Sequence, residues 1–419
     1  MTDRFGNPLD PTVGYARGQL LSSSADEVRR LRRAQQIAAG VVAARGIDSI
    51  GVFTGNARAF PLQVEDLEAC EEWVGPGLFA DRLRSVAIDH LGGTDHDAVA
   101  VFNRTSGGIV AAIVALAAGR PVVSLVPPGD RSHASVIRGC GLAGVELVEV
   151  DEAGLVGPAI ERVAAALVVV TTVTSVLARL DDADTRAATQ AARDAGALVL
   201  MDEAYGARVR PVLHDGAKSL LLGGHVAITN TDKAGLSGPR GGVLVGREDV
   251  VVAVLAQASE FGIEARAPIA LGALRSLETF DPQVLRDEVT DGAAVADALV
   301  GRLGEEAVVR TELGPSISED EAHAIVLARS NRDSSLVPCE TTAAVGMLLL
   351  RDHGVLTVNT HGQPGGRVSI RLKPTAGAVQ RVGGAARLAA AVDESLSTVA
   401  LHHTDSDWVA ALLFGEEGS

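Results

Sequence analysis

The chain has few cysteines and few aromatic residues. Its three cysteines, Cys70, Cys140 and Cys339, are scattered and lack the CxxC or Cys/His spacing that builds a zinc site, so we interpret them as reduced structural thiols. Aromatic residues make up 3% of the 419 residues and hydrophobic residues 47%. Ala, Val and Leu must therefore fill the interior, and the 46 glycines must serve many turns.

The chain also lacks positive charge. Its formal net charge is −16, and no block of Lys and Arg is long enough to form a local basic patch, so nucleic acid is not an expected partner. No apolar run approaches the roughly 18 residues that span a bilayer, and the first residues lack the basic flank and apolar stretch of a secretory signal. We therefore expect a soluble cytoplasmic protein.

The character of the sequence changes twice along the chain. Residues 1–60 have a turn-rich start and a charged helical stretch, SADEVRRLRRAQQIAAGVVAARG, and are predicted to form an N-terminal arm. Residues 61–285 alternate short apolar runs with Ala-rich helical stretches, which predicts βαβ units in a mostly parallel sheet. Residues 286–419 are predicted to form a smaller α+β domain.

Seven apolar runs are the predicted strands of that sheet. Their nearly continuous apolar character indicates burial on both faces. They read DAVAVFN, PVVSLVP, VELVEV, ALVVVTTVT, ALVLMDEA, HVAITNT and GGVLVG, in chain order.

The C-terminal part is dominated by helical patterns. One long helix is predicted over DPQVLRDEVTDGAAVADALVGRLG and a further amphipathic helix over AGAVQRVGGAARLAAAVDESL. The tail from about His402 to Ser419 is polar, and acidic at its end, so we expect it to pack loosely.

Two opposite charges follow neighbouring strand patterns. Asp202 stands at the carboxyl end of ALVLMD, the edge at which open α/β sheets bind ligands, and Lys233 follows HVAITNT in a glycine-rich loop. In enzymes that use pyridoxal phosphate, a lysine holds the cofactor as a Schiff base and an aspartate pairs with the protonated ring nitrogen, which keeps the ring an electron sink. The pair predicts pyridoxal 5'-phosphate as cofactor, with Lys233 and Asp202 as catalytic residues.

A phosphate site is predicted at the start of the helix that follows the first strand. The sequence NRTSGG places Thr105, Ser106 and Gly107 where hydroxyls and free backbone amides can hold a phosphate dianion. Thr231, two residues before the lysine, is expected to add a further hydroxyl.

Two more side chains are candidates for the cofactor ring and the substrate. His133 follows the next strand, and its imidazole is expected to stack on the cofactor ring, although capping of the helix that starts near Ser135 is the competing interpretation. Arg371, in GRVSIRLKP, is a candidate clamp for a substrate α-carboxylate. Arg367 lies four residues earlier, and this even spacing puts it on the same strand face, so either arginine could be the clamp. A surface ion pair is the other interpretation of Arg371.

Three further features carry less weight. His90 and Arg104 fit a structural hydrogen bond as well as a substrate contact, and we leave both out of the catalytic set. Gly139, Gly141 and Gly144 satisfy GxGxxG, the dinucleotide fingerprint, but a helical stretch precedes them and a strand follows, so we interpret them as a helix terminator. A nicotinamide oxidoreductase is therefore disfavoured.

Taken together, these motifs resemble the selenocysteine-synthase-like branch of fold type I pyridoxal-phosphate enzymes. The resemblance covers about residues 45–390 and implies the α/β fold of that class, the roles given above for Lys233, Asp202, His133, Ser106 and Gly107, and a homodimer or larger oligomer. The motifs are FTGN at 53–56, DHLGG at 89–93, NRTSGG at 103–108, RSHASV at 131–136, MDEAYG at 201–206 and TDKAGLSGPRGG at 231–242. Bacterial selenocysteine synthase carries a dedicated tRNA-binding domain and a positive surface, which this chain lacks, so the closer likeness is to shorter archaeal-type relatives.

The expected activity is chemistry at Cα of an amino-acid substrate. We expect a lyase or transferase that eliminates or replaces a β- or γ-substituent, without a metal, and a substrate like S-adenosylmethionine in a biosynthetic pathway is compatible with it although no residue selects it. An aminotransferase or racemase is the alternative, and a non-catalytic protein that binds pyridoxal phosphate is the alternative of another class.

Overall fold

A computed structural model describes residues 2–11, 13–361 and 368–415. The chain divides into two compact units, of which one is Ala57–Arg286 and the other combines Met1–Asn56 with Asp287–Ser419. The N-terminal segment therefore folds with the C-terminal part of the chain.

Helices are the commonest elements in the described ranges. The α-helices are α1 (Ser24–Arg45), α2 (Gly75–Leu91), α3 (Thr105–Leu116), α4 (Ala134–Ala143), α5 (Val156–Val163), α6 (Asp182–Asp194), α7 (Gly206–Leu213), α8 (Glu248–Glu260), α9 (Ala267–Glu278), α10 (Pro282–Leu303), α11 (Glu319–Ser330), α12 (Pro338–His353), α13 (Val358–His361), α14 (Ala378–Arg381), α15 (Ala385–His402) and α16 (Ser406–Phe414).

The strands are short, and the longest lie in the unit of residues 57–286. The strands are β1 (Gly51–Val52), β2 (Ala57–Arg58), β3 (Asp97–Phe102), β4 (Val122–Leu125), β5 (Leu147–Val150), β6 (Leu167–Thr171), β7 (Leu198–Asp202), β8 (Val226–Asn230), β9 (Ser237–Gly238), β10 (Gly242–Arg247), β11 (Ser316–Ile317), β12 (Val355–Leu356) and β13 (Ile370–Arg371).

A seven-stranded sheet forms the centre of the unit of residues 57–286. Its strand order is β3-β10-β8-β7-β6-β4-β5, and β10 is antiparallel to both of its neighbours, whereas the pairs from β8 to β5 are parallel. Each of the seven predicted strands is present, and the α/β fold with a mostly parallel seven-stranded sheet is confirmed.

Alternate residues of these strands enter two different cores. In β6, Val168 and Val170 belong to one hydrophobic cluster and Leu167 and Val169 to the other, and all four side chains are fully buried. Because successive strand residues point to opposite faces, helices must cover the sheet on both sides. This arrangement is what the continuous apolar runs predict, and it leaves the strand ends as the sites for polar side chains.

In the other unit, α12 and α15 contribute the two largest groups of buried apolar side chains. Helix α1 begins with a capping box formed by Ser23 and Asp26. The predictions of helices over residues 24–46 and 281–304 are confirmed by α1 and α10. Two strand pairs, β1 with β12 and β11 with β13, complete this unit among its described residues.

Two local predictions for the C-terminal part are wrong. The single helix expected over residues 376–396 is split into α14 and α15, because Gly383 and Gly384 adopt φ values of 85° and 97° that a right-handed helix does not allow. The tail expected to pack loosely contains α16, which buries Val409 and Leu413 completely; residues 416–419 lie outside the described part.

The glycine-rich GxGxxG run ends a helix, as predicted. Gly144 caps α4 in the left-handed conformation, with φ of 66°, and its amide donates to the carbonyls of Cys140 and Gly141. Among the described helices, none combines the length and the apolar character that crossing a membrane requires.

Candidate active site

The carboxyl ends of β7 and β8 bring Asp202 and the lysine loop to the same edge of the sheet. Asp202 is the last residue of β7 and pairs in register with Ile228 of the parallel strand β8. Strand β8 ends at Asn230, so Lys233 follows three residues beyond that edge. Asp202 is 4% exposed and Lys233 is partly buried. The structure thus brings together the two residues on which the sequence interpretation depends.

The two charges influence each other's ionisation. Burial raises the pKa of Asp202 to about 6, and the positive charge of Lys233 opposes that rise. Burial lowers the pKa of the Lys233 amine, whereas the carboxylates of Asp232 and Asp202 oppose that fall. A buried amine with a lowered pKa is more often neutral near pH 7, which is the state that attacks a carbonyl.

Tyr205 is a neighbour of Lys233 that sequence reasoning missed. The Lys233 Nζ lies 5.1 Å from the centroid of the Tyr205 ring, which is 5% exposed. The motif MDEAYG contains this tyrosine three residues after Asp202, and that proximity in sequence is the signal that could have found it.

The other lysines are engaged elsewhere. The chain contains three, Lys218, Lys233 and Lys373. The Nζ of Lys218 lies 2.9 Å from a carboxylate oxygen of Asp89 in an exposed ion pair. Lys373 is buried in the unit that combines the N-terminal segment with the C-terminal residues. The unit of residues 57–286 thus contains two lysines, Lys218 and Lys233. Of these two, Lys233 lies beside a buried carboxylate at the edge of the sheet.

Strand β10 joins the lysine loop to the start of α3. Gly242, its first residue, pairs with Asn230 of β8 on one side and with Phe102 of β3 on the other. A Cβ atom at Gly242 would lie 2.6 Å from the Cα of Thr105, the first residue of α3. This close approach requires glycine, and it holds the helix start against the end of the lysine loop.

The start of α3 is a potential anion site. The helix has 12 residues, and no side chain caps its N-terminus. The first amides of a helix lack partners within the helix, so those of Ser106 and Gly107 are suited to bind an anion. Both residues are partly exposed, so a ligand can reach them.

Two arginines flank that helix start, and sequence reasoning left both out of the site. Arg104 directly precedes α3, and Arg240 directly precedes Gly241 in the lysine loop. Within the described part of the chain, neither guanidinium forms a hydrogen bond or an ion pair. Burial and the charge of Arg58 lower the pKa of both, that of Arg240 to about 10. The Asp232 carboxylate offsets part of this effect, and the remaining repulsion between the guanidinium groups favours a bound anion there.

Arg58 and Asp232 form an ion pair beside the lysine. The Arg58 Nε lies 3.1 Å from a carboxylate oxygen of Asp232, which is 4% exposed as a side chain. The Asp232 carbonyl also accepts a hydrogen bond of 2.9 Å from the amide of Ala57. These contacts, together with the pairing of β2 and β9, fix the loop that carries Lys233.

The two threonines predicted to contact the phosphate donate their hydroxyl hydrogen bonds to backbone carbonyl groups instead. The Thr105 hydroxyl donates to the Gly241 carbonyl at 3.1 Å, and the Thr231 hydroxyl donates to the Pro239 carbonyl at 2.6 Å. Because a hydroxyl has one proton, neither can donate to a phosphate in this geometry. Their observed effect is to shape the loop between Thr231 and Gly241.

His133 caps a helix. It precedes α4, its side chain is exposed, and its Nδ1 accepts a hydrogen bond of 3.3 Å from the Ser135 amide. The observed hydrogen bond is therefore that of a helix cap, the competing interpretation. The ring is exposed, and its stacking on the cofactor stays a prediction.

Arg371 belongs to the other unit. It lies on β13 and pairs in register with Ser316 of the antiparallel strand β11. Arg367, its alternative as carboxylate clamp, lies outside the described residues. Among the described residues, no group of three or more His, Cys, Asp and Glu side chains could hold a metal ion.

Known proteins resemble this chain over most of its length. Residues 76–379 match the family model described as aminotransferase class I and II. A protein named UPF0425 pyridoxal phosphate-dependent protein, from Methanothermobacter thermautotrophicus, is 33% identical over 84% of this chain and 89% of its own length. A protein of the same name from Methanosphaera stadtmanae is 27% identical over 84% of this chain and 89% of its own length.

Solved structures with similar folds are more distant in sequence. An alanine–glyoxylate aminotransferase from Nostoc sp. has 14% identity and a TM-score of 0.55, with 82% of this chain and 94% of that chain covered. An L-threonine transaldolase from Pseudomonas fluorescens has 14% identity and a TM-score of 0.56, with 92% of each chain covered. These likenesses establish the fold. The selenocysteine-synthase-like branch stays a prediction, whereas the cofactor, pyridoxal phosphate, and the fold class are confirmed. The chain belongs to the aminotransferase class I and II family of fold type I pyridoxal-phosphate-dependent enzymes.

Proposed function

We propose that this enzyme eliminates or replaces a β- or γ-substituent of an amino-acid substrate after removing the proton at Cα. The observation that carries the proposal is the convergence of the Asp202 carboxylate and the Lys233 amine at one sheet edge, each shifting the ionisation of the other. Transamination is the second candidate, because the matching family model is that of class I and II aminotransferases.

The residues at this edge fit pyridoxal phosphate. In this proposal Lys233 would bind the aldehyde carbon of the cofactor, and Asp202 would pair with its ring nitrogen. The amides of Ser106 and Gly107 would bind its phosphate. When bound, the cofactor supplies an electron sink that stabilises negative charge at the substrate Cα.

Lys233 has two tasks in this scheme. Its ε-amine first holds the cofactor, and the lowered pKa of this amine favours the neutral form that attacks a carbonyl. Once released from the cofactor, the Lys233 amine would be the general base for the Cα proton of the substrate. The Tyr205 ring below Nζ and the Asp232 carboxylate limit where that amine can lie.

Asp202 holds the proton on the ring nitrogen. A carboxylate buried to this degree is costly to ionise alone, and its pKa is about 6, so it is ionised at pH 7 and stabilised by a cationic partner. A protonated ring nitrogen is such a partner.

We propose that Arg104 and Arg240 neutralise the charge of the cofactor phosphate. Their two positive charges balance a phosphate dianion, and among the described residues neither guanidinium forms a hydrogen bond or an ion pair, although the Asp232 carboxylate attracts both. Direct contacts from Thr105 and Thr231 would require each hydroxyl proton to leave its carbonyl acceptor.

The arginine assignment predicts a loss of cofactor affinity. Arg104→Gln and Arg240→Gln should each weaken pyridoxal-phosphate binding by about 10-fold or more, since each removes a charge-assisted hydrogen bond of about 1.5–3 kcal/mol. Equilibrium titration of the apoprotein measures this. Arg247→Gln, which removes an exposed arginine paired with Asp249, is the control that should bind normally.

Two assignments complete the proposed site. The exposed His133 ring stacks on the cofactor ring, and Arg371 binds the substrate α-carboxylate. His133→Ala should change the absorbance spectrum of the bound cofactor, and Arg371→Gln should raise KM for the substrate more than it lowers kcat. Unchanged values would remove the respective assignment.

We also propose that the enzyme works as a homo-oligomer, with a second copy covering the apolar surface of residues 60–78. This surface exposes six large hydrophobic side chains, and Trp73 alone is 92% exposed. Two of the six are aromatic, and aromatic side chains bury about 150–250 Å² each, so these two alone can supply a sizeable part of the roughly 800 Å² per partner that stable interfaces bury. They are Phe60, Val64, Leu67, Trp73, Val74 and Leu78.

The test of the function is hydrogen exchange at Cα. The loaded enzyme is incubated in deuterated water with amino acids and aminosulfonium compounds, and mass spectrometry follows deuterium at Cα and release of the substituent. We expect exchange that Lys233→Ala abolishes and Lys218→Ala leaves intact. Exchange without a released substituent, but with formation of a keto acid, would favour transamination. A bound cofactor without any exchange would support a non-catalytic binding protein.

A further inference from the structure

Arg208 is a completely buried arginine beneath the candidate active site. It is the third residue of α7, the helix that begins four residues after Asp202, and its side chain is 0% exposed. Burying a guanidinium is costly unless its donors are matched by acceptors. Its contacts therefore indicate what this arginine stabilises.

Each of the five N–H donors of Arg208 has an acceptor. Its Nε donates to the Lys233 carbonyl at 3.2 Å. Its Nη2 donates to the Ala204 carbonyl at 3.0 Å and to the Asn230 side-chain oxygen at 2.8 Å. Its Nη1 donates to the Thr229 hydroxyl at 2.9 Å and lies 3.2 Å from the His90 Nε2. The guanidinium thus uses its whole donor set.

These acceptors lie on the segments that carry the two catalytic candidates. Ala204 is two residues after Asp202, Thr229 and Asn230 end the strand before the lysine loop, and the last acceptor is the backbone of Lys233 itself. The geometry points to Arg208 as a positioning residue that fixes the Lys233 loop relative to the turn after Asp202. This inference rests on the proposed function, in which the amine and the carboxylate serve one cofactor.

His90 completes the arrangement without adding a charge. Burial and the positive charge of Arg208 lower its pKa to about 3, so the imidazole is neutral near pH 7. Its Nε2 can then accept from Arg208. His90 stayed outside the catalytic set in the sequence interpretation, and the structure gives it this supporting contact.

Lysine cannot replace arginine in this position. It retains the charge but has three donors in place of five and lacks the planar fork that reaches acceptors on several segments. Arg208→Lys therefore loosens the lysine loop while keeping the local charge.

Arg210 provides a matched control on the same helix. It is 1% exposed, and its donors bind Glu203, Asp182 and the Ala217 carbonyl, none of which belongs to the lysine loop. Arg210→Lys removes a smaller set of buried guanidinium contacts and should also lower the melting temperature.

The experiment compares both variants by melting temperature and by spectroscopic titration of the Schiff base that Lys233 forms with pyridoxal phosphate. We expect Arg208→Lys to lower the pKa of that Schiff base by about 0.5 to 1, because Lys233 moves from the Asp202 carboxylate, and to slow Cα exchange about 10-fold or more. Arg210→Lys should leave the Schiff-base pKa unchanged.

Equal effects of the two variants on the Schiff-base pKa, or none from Arg208→Lys, would overturn the inference. If Arg208→Lys does not fold, His90→Leu removes one acceptor and leaves four, and it should shift the pKa in the same direction by less; no shift would overturn the inference equally. A wild-type protein that forms no Schiff base or exchanges no Cα hydrogen would instead contradict the proposed function.

Discussion

Replacing Asp202 by asparagine should stabilise the cofactor-free protein while removing the function of the site. In the folded chain the pKa of this buried carboxyl rises from 3.8 to about 6. A pKa that is higher by one in the folded than in the unfolded chain corresponds to about 1.4 kcal/mol, so ionised Asp202 costs the folded apoprotein about 3 kcal/mol at neutral pH. Asparagine is neutral at every pH and avoids that cost.

The sign of the pH dependence follows from the raised pKa. Below pH 3.8 Asp202 is protonated in the folded and the unfolded chain, so it costs nothing there. Between pH 3.8 and about 6 the unfolded chain loses its proton first, and the folded state becomes relatively less stable. The stability gain of Asp202→Asn should therefore grow across this range and be constant above it.

Urea denaturation of apoprotein at pH 4.5, 6 and 8 measures this gain, as the difference in free energy of unfolding between variant and wild type. Asp48→Asn, at an exposed position, is the control. Adding pyridoxal phosphate should stabilise the wild type more than Asp202→Asn, because the carboxylate then gains its partner. A gain that is the same at every pH, or a variant that is less stable than wild type at pH 8, would refute the reasoning.

Two further predictions test the phosphate site and the oligomer. Gly242→Ala should destabilise the protein by about 1–3 kcal/mol and weaken cofactor binding, because its Cβ would lie 2.6 Å from the Thr105 backbone; thermal unfolding and cofactor titration measure both. Gly141→Ala, where no atom lies within 4 Å of the added Cβ, is the control that should be tolerated, and equal effects would contradict the packing argument. Trp73→Glu should convert the oligomer to monomer in light scattering, and an unchanged mass would exclude this surface as the interface.

Much of the sheet could be predicted because its strands are buried on both faces. A run such as LVVVT, residues 167–171 of β6, has no other stable place than the interior. The position of Asp202 at a strand end followed from the same pattern. By contrast, the short pairs β1–β12 and β11–β13 join segments far apart in sequence, and no local pattern specifies them.

The residues that sequence reasoning missed are those whose role depends on contacts across the fold. Arg208 looks like any charged residue on a short helix, yet its side chain reaches five acceptors from different segments. Arg240 precedes a glycine pair in the lysine loop, and the absence of a hydrogen bond or ion pair to its guanidinium among the described residues is visible only in three dimensions. Thr231 was predicted from its distance to the lysine in sequence, whereas the loop turns its hydroxyl towards Pro239.

Reduction of the loaded enzyme with borohydride, followed by peptide mass spectrometry, tests the central claim most directly. The reagent fixes the cofactor to the amine that holds it, and the chain offers three lysines. We predict the phosphopyridoxyl mass on Lys233 and its loss in Lys233→Arg, with Lys218→Arg unaffected. The mass on Lys218 or Lys373, or a loaded protein in which no lysine is modified, would contradict the assignment of Lys233.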